Sequence, residues 1–225
     1  MATLTVTLSA NAGVSLEFGG HRILVDALHN QKVPGFSTVD KLLQGKMLHC
    51  PAFQNPELMV YTHCHPDHYS EELTAAAMQL YPSAKLLVPK TPFAQQLWEF
   101  GDLKLKFLRL PHEGAQYADV IHYGILLFWQ NKHILIPGDC ETASPILAET
   151  VKDLPIDVAI LNFPWLTLKK GREFVSTWLR PKHEIVYHLP FAADDTNGFR
   201  QSAHAVTAEN VSILDAPLQT VTIEL

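Results

Sequence analysis

Six consecutive residues, His63-Cys64-His65-Pro66-Asp67-His68, bring three imidazoles and a carboxylate close together. In a chain with 12 histidines among 225 residues, chance would produce this pattern with a probability on the order of 10⁻³. In an extended stretch side chains alternate with a period of two, so His63 and His65 share one side and Cys64 faces the other. Two imidazoles can then grip one ion, and a catalytic zinc-type site adds a third protein ligand while keeping one position open. His112 is the candidate for that third place, with His122 as its rival. Asp67 and His68, beyond the turn at Pro66, point to a second ion. Asp139 could bridge both ions, and His188 could complete the second set. A solvated polar turn is the bland alternative for the cluster, and its ligand-like spacing argues against it. His112 and His188 would singly pass as hydrogen-bonded structural histidines; their place in the series gives them meaning.

The elements that must position these groups are legible as apolar strands ending in potential ligands. "MVYT" runs into His63, "LKFLRLP" into His112, "ILIPG" into Asp139 and "EIVY" into His188. Strand ends and the loops beyond them are where a rigid scaffold presents chemistry. His112 is preferred to His122 because it closes a strand, whereas His122 stands where the next one starts. Upstream, "TLTVTL", "VSLEF" and "RILVD" alternate apolar and polar positions between turn signals and predict a strand meander ending on Asp26. A stretch of about thirty residues follows, with a short helix around 39–44, and loops of this length often serve as lids or binding loops.

Further strands are predicted at "AKLLV", "YGILLFW", "DVAILNF", "VSILD" and "TVTIEL", and helices at "SEELTAAAMQLY", "PFAQQLWEF", "ASPILAETVKD", "GREFVSTWL" and "TNGFRQSAHAV". Roughly a dozen strands with interspersed helices argue for an α/β class with more than one sheet. No repeat or linker divides the chain, so residues 1–225 read as one domain. Its length can bury a sizeable core without a metal, so a bound metal would be functional.

Composition narrows the function classes. Seventeen basic against 23 acidic residues give a net charge of −6, without a basic run, which argues against a nucleic-acid-binding surface. No apolar run reaches membrane-spanning length. The N-terminus lacks a signal-like basic and apolar pattern, and three cysteines cannot all pair within one chain, so cytoplasm is the expected compartment. Cys64 and Cys140 adjoin candidate ligands but are turned from them by alternation and read as small packing residues.

With His63, His65, Asp67 and His68 as the first motif, His112 next, Gly138-Asp139 at a strand end and His188 late in the chain, the sequence resembles the metallo-β-lactamase fold superfamily over nearly its whole length. The resemblance implies a four-layer αββα sandwich with the metals at one edge between the two sheets. It also implies that Asp26 supports the site without being a ligand. "NAGVSLEFGGHRILVDAL", "KHILIPGDCE" and "LRPKHEIVYHLPF" look like the small bacterial branch that includes ascorbate-6-phosphate lactonase.

Two divalent ions would dominate the local field and favour anionic substrates, and a metal-bound water with its pKa lowered to about 7 supplies hydroxide at neutral pH. The expected activity is hydrolysis of a small ester, lactone or phosphorylated metabolite, with Asp67 both binding metal and orienting the nucleophile. A phosphodiesterase or nuclease of the same fold, and a metal-binding protein without turnover, are the alternatives. Zinc is the expected metal, with manganese, iron and nickel open because supply and geometry decide occupancy. Lys169, Lys170 and Arg172 could meet an anionic substrate group or simply form a solvated helix start. The oligomeric state is not legible.

Overall fold

Period-two alternation along the first 25 residues is realised as three antiparallel strands, β1 (Thr3–Leu8), β2 (Val14–Phe18) and β3 (His21–Val25). Their inward residues, among them Leu4, Val6, Val14, Leu16, Ile23 and Val25, are buried. The computed structural model describes residues 2–206 and 208–225. Helix α1 (Lys41–Met47), capped by Asp40 through the amide of Leu43, lies within the long excursion; a 3₁₀ turn at Pro51–Phe53 leads out of it. Strand β4 (Leu58–Val60), helix α2 (Glu71–Leu80) and strand β5 (Lys85–Leu87) follow. Ser70 caps α2, and Glu71 and Glu72 in its first turn complement the helix dipole.

Next come β6 (Leu97–Phe100), β7 (Leu103–Arg109), β8 (Tyr123–Trp129), β9 (Lys132–Ile136), α3 (Pro145–Val151), β10 (Val158–Asn162), α4 (Pro164–Thr167) and α5 (Lys169–Phe174). A 3₁₀ turn at Ala115–Tyr117 between β7 and β8, a π-helical turn at Val175–Leu179, β11 (His183–Tyr187), α6 (Phe199–His204), β12 (Val211–Ile213) and β13 (Thr220–Glu224) complete the described elements. One sheet has the order β13-β1-β2-β3-β4-β5, antiparallel as far as β3 and parallel from β3 to β5. The other has the order β12-β11-β10-β9-β8-β7-β6, with β6 to β9 antiparallel and the pairs β9–β10 and β11–β12 parallel. The fold class is mixed α/β with two sheets, as the sequence led us to expect.

The chain divides into two compact units, one of residues 1–88, 187–200 and 214–225, the other of residues 89–186 and 201–213. In the first, Leu24, Val39, Leu43, Met47, Phe53 and Met59 form the core that seats α1 and the excursion. In the second, Leu126, Leu135, Leu147, Val151, Trp165 and Phe174 gather α3 and α5 onto the sheet.

One element differs in type. "PFAQQLWEF" is not a helix; its last four residues are β6, an edge strand paired antiparallel with β7 across the turn at Gly101. Gly101 has a φ of +61, which suits a tight turn, and Trp98 and Phe100 tuck in while Leu97 and Glu99 face out. The pairing with β7 decides the conformation, overriding a local pattern that also fits a helix.

Candidate metal centre

In the first unit, β3 and β4 run parallel, and the Asp26 amide continues the pairing to the Val60 carbonyl at 3.0 Å. Beyond these strand ends lie Asp26, with a φ of +49, and the segment Thr62 to His68. A turn closes this segment, because the amides of His68 and Tyr69 both reach the His65 carbonyl at 2.9 Å. Gly13 abuts the same place: a Cβ there would lie 2.6 Å from the Asp26 carbonyl oxygen and 2.2 Å from Ser9 Oγ, so no larger residue fits without moving Asp26.

Asp26 is fully buried and accepts three hydrogen bonds. The Thr62 amide donates to Oδ1 at 2.8 Å, the Thr62 hydroxyl to Oδ2 at 2.6 Å, and Nδ1 of His68 lies 2.9 Å from Oδ2. Since the Thr62 proton goes to Asp26, its oxygen accepts from Nδ1 of His63 at 2.9 Å. Both imidazoles are thereby set as Nδ1–H tautomers with the lone pair on Nε2, the arrangement a carboxylate imposes on histidines that bind metal.

The structure brings Asp67, His68 and His188 together, their candidate ligand atoms all within 4.8 Å of one another. His68 Nε2 is 3.1 Å from His188 Nε2, which is 3.7 Å from Asp67 Oδ2. The His63 ring lies 4.0 Å from that of His68 and 4.5 Å from that of His65. Cys64, between them, is exposed, so it does not pack as expected. His188 has a φ of +62, and its amide donates to the Asn11 carbonyl at 3.0 Å. Phe36, from the excursion, meets the His188 ring edge-on at 5.2 Å.

In the second unit an isolated bridge joins His112 to Cys140. The Glu113 amide donates to the Asp139 carbonyl at 2.8 Å and the Glu141 amide to the Pro111 carbonyl at 2.9 Å. This ladder sets Nε2 of His112 3.8 Å from Oδ2 of Asp139, while Nδ1 of His112 donates to the Glu113 carbonyl at 2.8 Å. Nδ2 of Asn162, the last residue of β10, donates to Oδ1 of Asp139 at 3.1 Å. His122 is fully buried and turns Nδ1 to the Leu110 carbonyl at 3.2 Å. Cys140 is buried too, and desolvation pushes its thiol up to about 12, so it is inert packing.

The basic helix start is committed elsewhere. Lys170 pairs with Glu113 at 3.1 Å, Lys169 with Glu173 at 3.6 Å, and Arg172 donates to the carbonyls of Leu166 and Thr167. Burial raises the Glu113 carboxyl, but the Thr142 amide and hydroxyl and the Lys170 ammonium outweigh it, and the net shift is downward. Three groups near candidate ligands of their own unit were not foreseen from the sequence: Thr62, Asn162 and His29. Asn162 carried the same signal as the others, a polar residue closing an apolar strand. His29 carried none.

No protein-family model matches the sequence, and no curated protein matches it. Solved structures do share its architecture. A protein from Veillonella parvula described as a possible metal-dependent hydrolase is 17% identical with a TM-score of 0.70, over 97% of this chain and 99% of that one. YhfI from Bacillus subtilis, a metallo-β-lactamase fold protein, is 14% identical with a TM-score of 0.66, over 99% of this chain and 100% of that one. CmlA from Streptomyces venezuelae, a diiron β-hydroxylase, is 15% identical with a TM-score of 0.61, over 99% of this chain but 54% of that one, so the present chain spans about half its length. The chain has the metallo-β-lactamase fold. Among the described residues no helix is long and apolar enough to cross a membrane.

Proposed function

We propose that this protein is a metal-dependent hydrolase of a small ester, lactone or phosphorylated metabolite. The ligands in this reading are the residues the sequence named: His63, His65, Asp67, His68, His112, Asp139 and His188. The observation that carries this reading is the tautomer control around Asp26, whose carboxylate fixes His68 directly and His63 through Thr62. Fixing both protons on Nδ1 sets the Nε2 lone pairs as a divalent cation requires of its imidazole ligands. Imidazoles with carboxylates are also a donor set that zinc, iron and manganese accept.

When bound, such cations polarise a carbonyl or phosphoryl oxygen and lower the pKa of a water to about 7. The chain's own residues set the geometry. Asp67, partly exposed between buried His68 and His188, orients the entering water through a carboxylate oxygen and accepts its hydrogen bond. Asp139, held at Oδ1 by Asn162, turns Oδ2 toward His112. Asp26, fully buried, keeps the protons of His63 and His68 on Nδ1. The Phe36 ring on His188 gives the substrate an apolar surface beside the polar centre. Zinc is the proposed metal, with iron as the rival because one structural neighbour is a diiron enzyme.

The test is elemental analysis of protein purified without added metal or chelator, beside Asp139→Ala, followed by turnover assays with the metal found. Two ions per chain falling to one or fewer in Asp139→Ala, and ester or lactone turnover lost in Asp67→Ala, are expected. Turnover of bis-p-nitrophenyl phosphate alone would move the reading to a phosphodiesterase. Two ions without turnover on any ester, lactone or phosphate would leave a metal-binding protein. A wild type without metal after reconstitution would end the proposal.

A further inference from the structure

His29 lies outside the ligand set, yet it is fully buried and close enough to His68, Asp67 and His188 for electrostatic coupling. Its Nε2 is 2.9 Å from the carbonyl oxygen of Ala10. A carbonyl can only accept, so Nε2 carries the proton and the lone pair of the neutral ring lies on Nδ1. Nδ1 is buried and has no hydrogen-bond partner among the described residues.

Ala10 belongs to the turn between β1 and β2, and its carbonyl also accepts the amide of Gly13 at 2.8 Å. The next carbonyl, that of Asn11, holds the amide of His188 at 3.0 Å. Asn11 and His188 both adopt positive φ, +42 and +62. Residues with a Cβ persist there only where their surroundings over-determine the conformation, and such positions cluster at functional sites. A third determinant comes from the main chain of His29: its carbonyl accepts the Val39 amide at 3.0 Å and the Thr38 hydroxyl at 3.1 Å, tying down the excursion that carries Phe36.

We propose that His29 is a positioning residue for His188: its Nε2–H fixes the Ala10–Asn11 turn, whose Asn11 carbonyl fixes the backbone that aims the His188 imidazole at the second metal position. This inference rests on the metal-dependent reading above and adds to it a residue that touches neither metal nor substrate.

Cobalt(II) titration followed by its visible absorption, with circular dichroism as the check on folding, tests it on wild type, His29→Leu and His29→Gln. Wild type takes up two ions. His29→Leu keeps the first, and its affinity for the second falls about tenfold or more, the scale seen when a group supporting a ligand is lost. His29→Gln, whose amide N–H can replace Nε2–H, recovers the second ion and its spectrum. Folded His29→Leu binding both ions as wild type does, or folded His29→Gln as weak as His29→Leu, would overturn the proposal. Nitrogen-15 imidazole spectra of the wild type decide independently of any variant's folding. The Nε2–H tautomer of His29 is expected with and without zinc, and an Nδ1–H tautomer, or a ring shifted by direct metal binding, overturns it. A wild type that binds no cobalt would overturn the metal-dependent reading and this inference with it, a result distinct from a variant-specific loss.

Discussion

The carboxylate of Asp26 and the imidazole of His68, both buried beyond reach of solvent, meet at 2.9 Å through Oδ2 and Nδ1. Because the same carboxylate takes the amide and hydroxyl protons of Thr62, one residue orders two candidate ligands at once. Asp26→Asn keeps the shape but turns an amide N–H toward groups that also donate. It is expected to fold and to bind zinc about 10–100-fold more weakly, measured by competition with a chromogenic chelator. Asp26→Ala leaves three buried donors without an acceptor and should lower stability by about 3–5 kcal/mol in urea denaturation. Unchanged zinc affinity in Asp26→Asn would show that tautomer control does not matter here.

Asn162 stands to Asp139 much as Asp26 stands to His68. Its Nδ2 donation to Oδ1 leaves the other carboxylate oxygen facing His112. Asn162→Ala should keep the stability of the wild type within about 1 kcal/mol and lose about tenfold in metal affinity. Asn162→Asp should lose less than Asn162→Ala, since a second carboxylate repels Asp139 in the metal-free protein and a cation relieves that repulsion. Calorimetric zinc titrations of the two variants check the order; wild-type affinity in both would mean that Asn162 serves packing alone.

How much of this was legible in the sequence depended on the range of the interactions involved. Asp26, His63, Asp139 and His188 each close an apolar strand or meander, and the strand itself announced them. The helix expected over "PFAQQLWEF" failed because its conformation is set by pairing with β7, information that a local apolar pattern does not contain. Lys170 read as part of a solvated helix start, with a substrate anion as the alternative, and only the fold revealed its partner Glu113, 57 residues away. His29 was invisible for the same reason: its bond is to the main chain at Ala10, 19 residues upstream, and any residue at position 10 would have offered that carbonyl.

The excursion is fastened by a buried hydroxyl. Ser37 donates to Asp194 at 2.7 Å and accepts the Phe191 amide at 2.7 Å, and Lys32 pairs with the same carboxylate. Burial raises the Asp194 carboxyl, but Lys32 and Ser37 outweigh it and hold it below its usual range. Ser37→Ala should cost about 1–3 kcal/mol, because the Phe191 amide and Asp194 both lose a partner. It should also speed limited proteolysis within residues 30–38 while zinc content stays unchanged. Loss of zinc in this variant would tie the fastening to the centre itself.

His29 also gives the protein a defined response to acid. Desolvation by burial, which outweighs the Ala10 hydrogen bond, lowers its pKa from 6.5 to about 4. Between these values the unfolded chain binds a proton that the folded chain refuses, so stability rises with pH across the window. The contribution is fully present above pH 6.5 and is lost as pH falls toward 4, amounting to roughly 3 kcal/mol over the whole interval. Urea denaturation of metal-free protein at a series of pH values should show this acid limb. In His29→Gln, which cannot titrate, the slope between pH 6 and 4.5 should fall by about one proton, or about 1.4 kcal/mol per pH unit. The loss must appear in the slope and not only in the level, since a missing hydrogen bond would shift the curve at every pH alike. Parallel curves for the two proteins would mean that the imidazole titrates normally in the folded state, and so is not sealed behind the Ala10 turn.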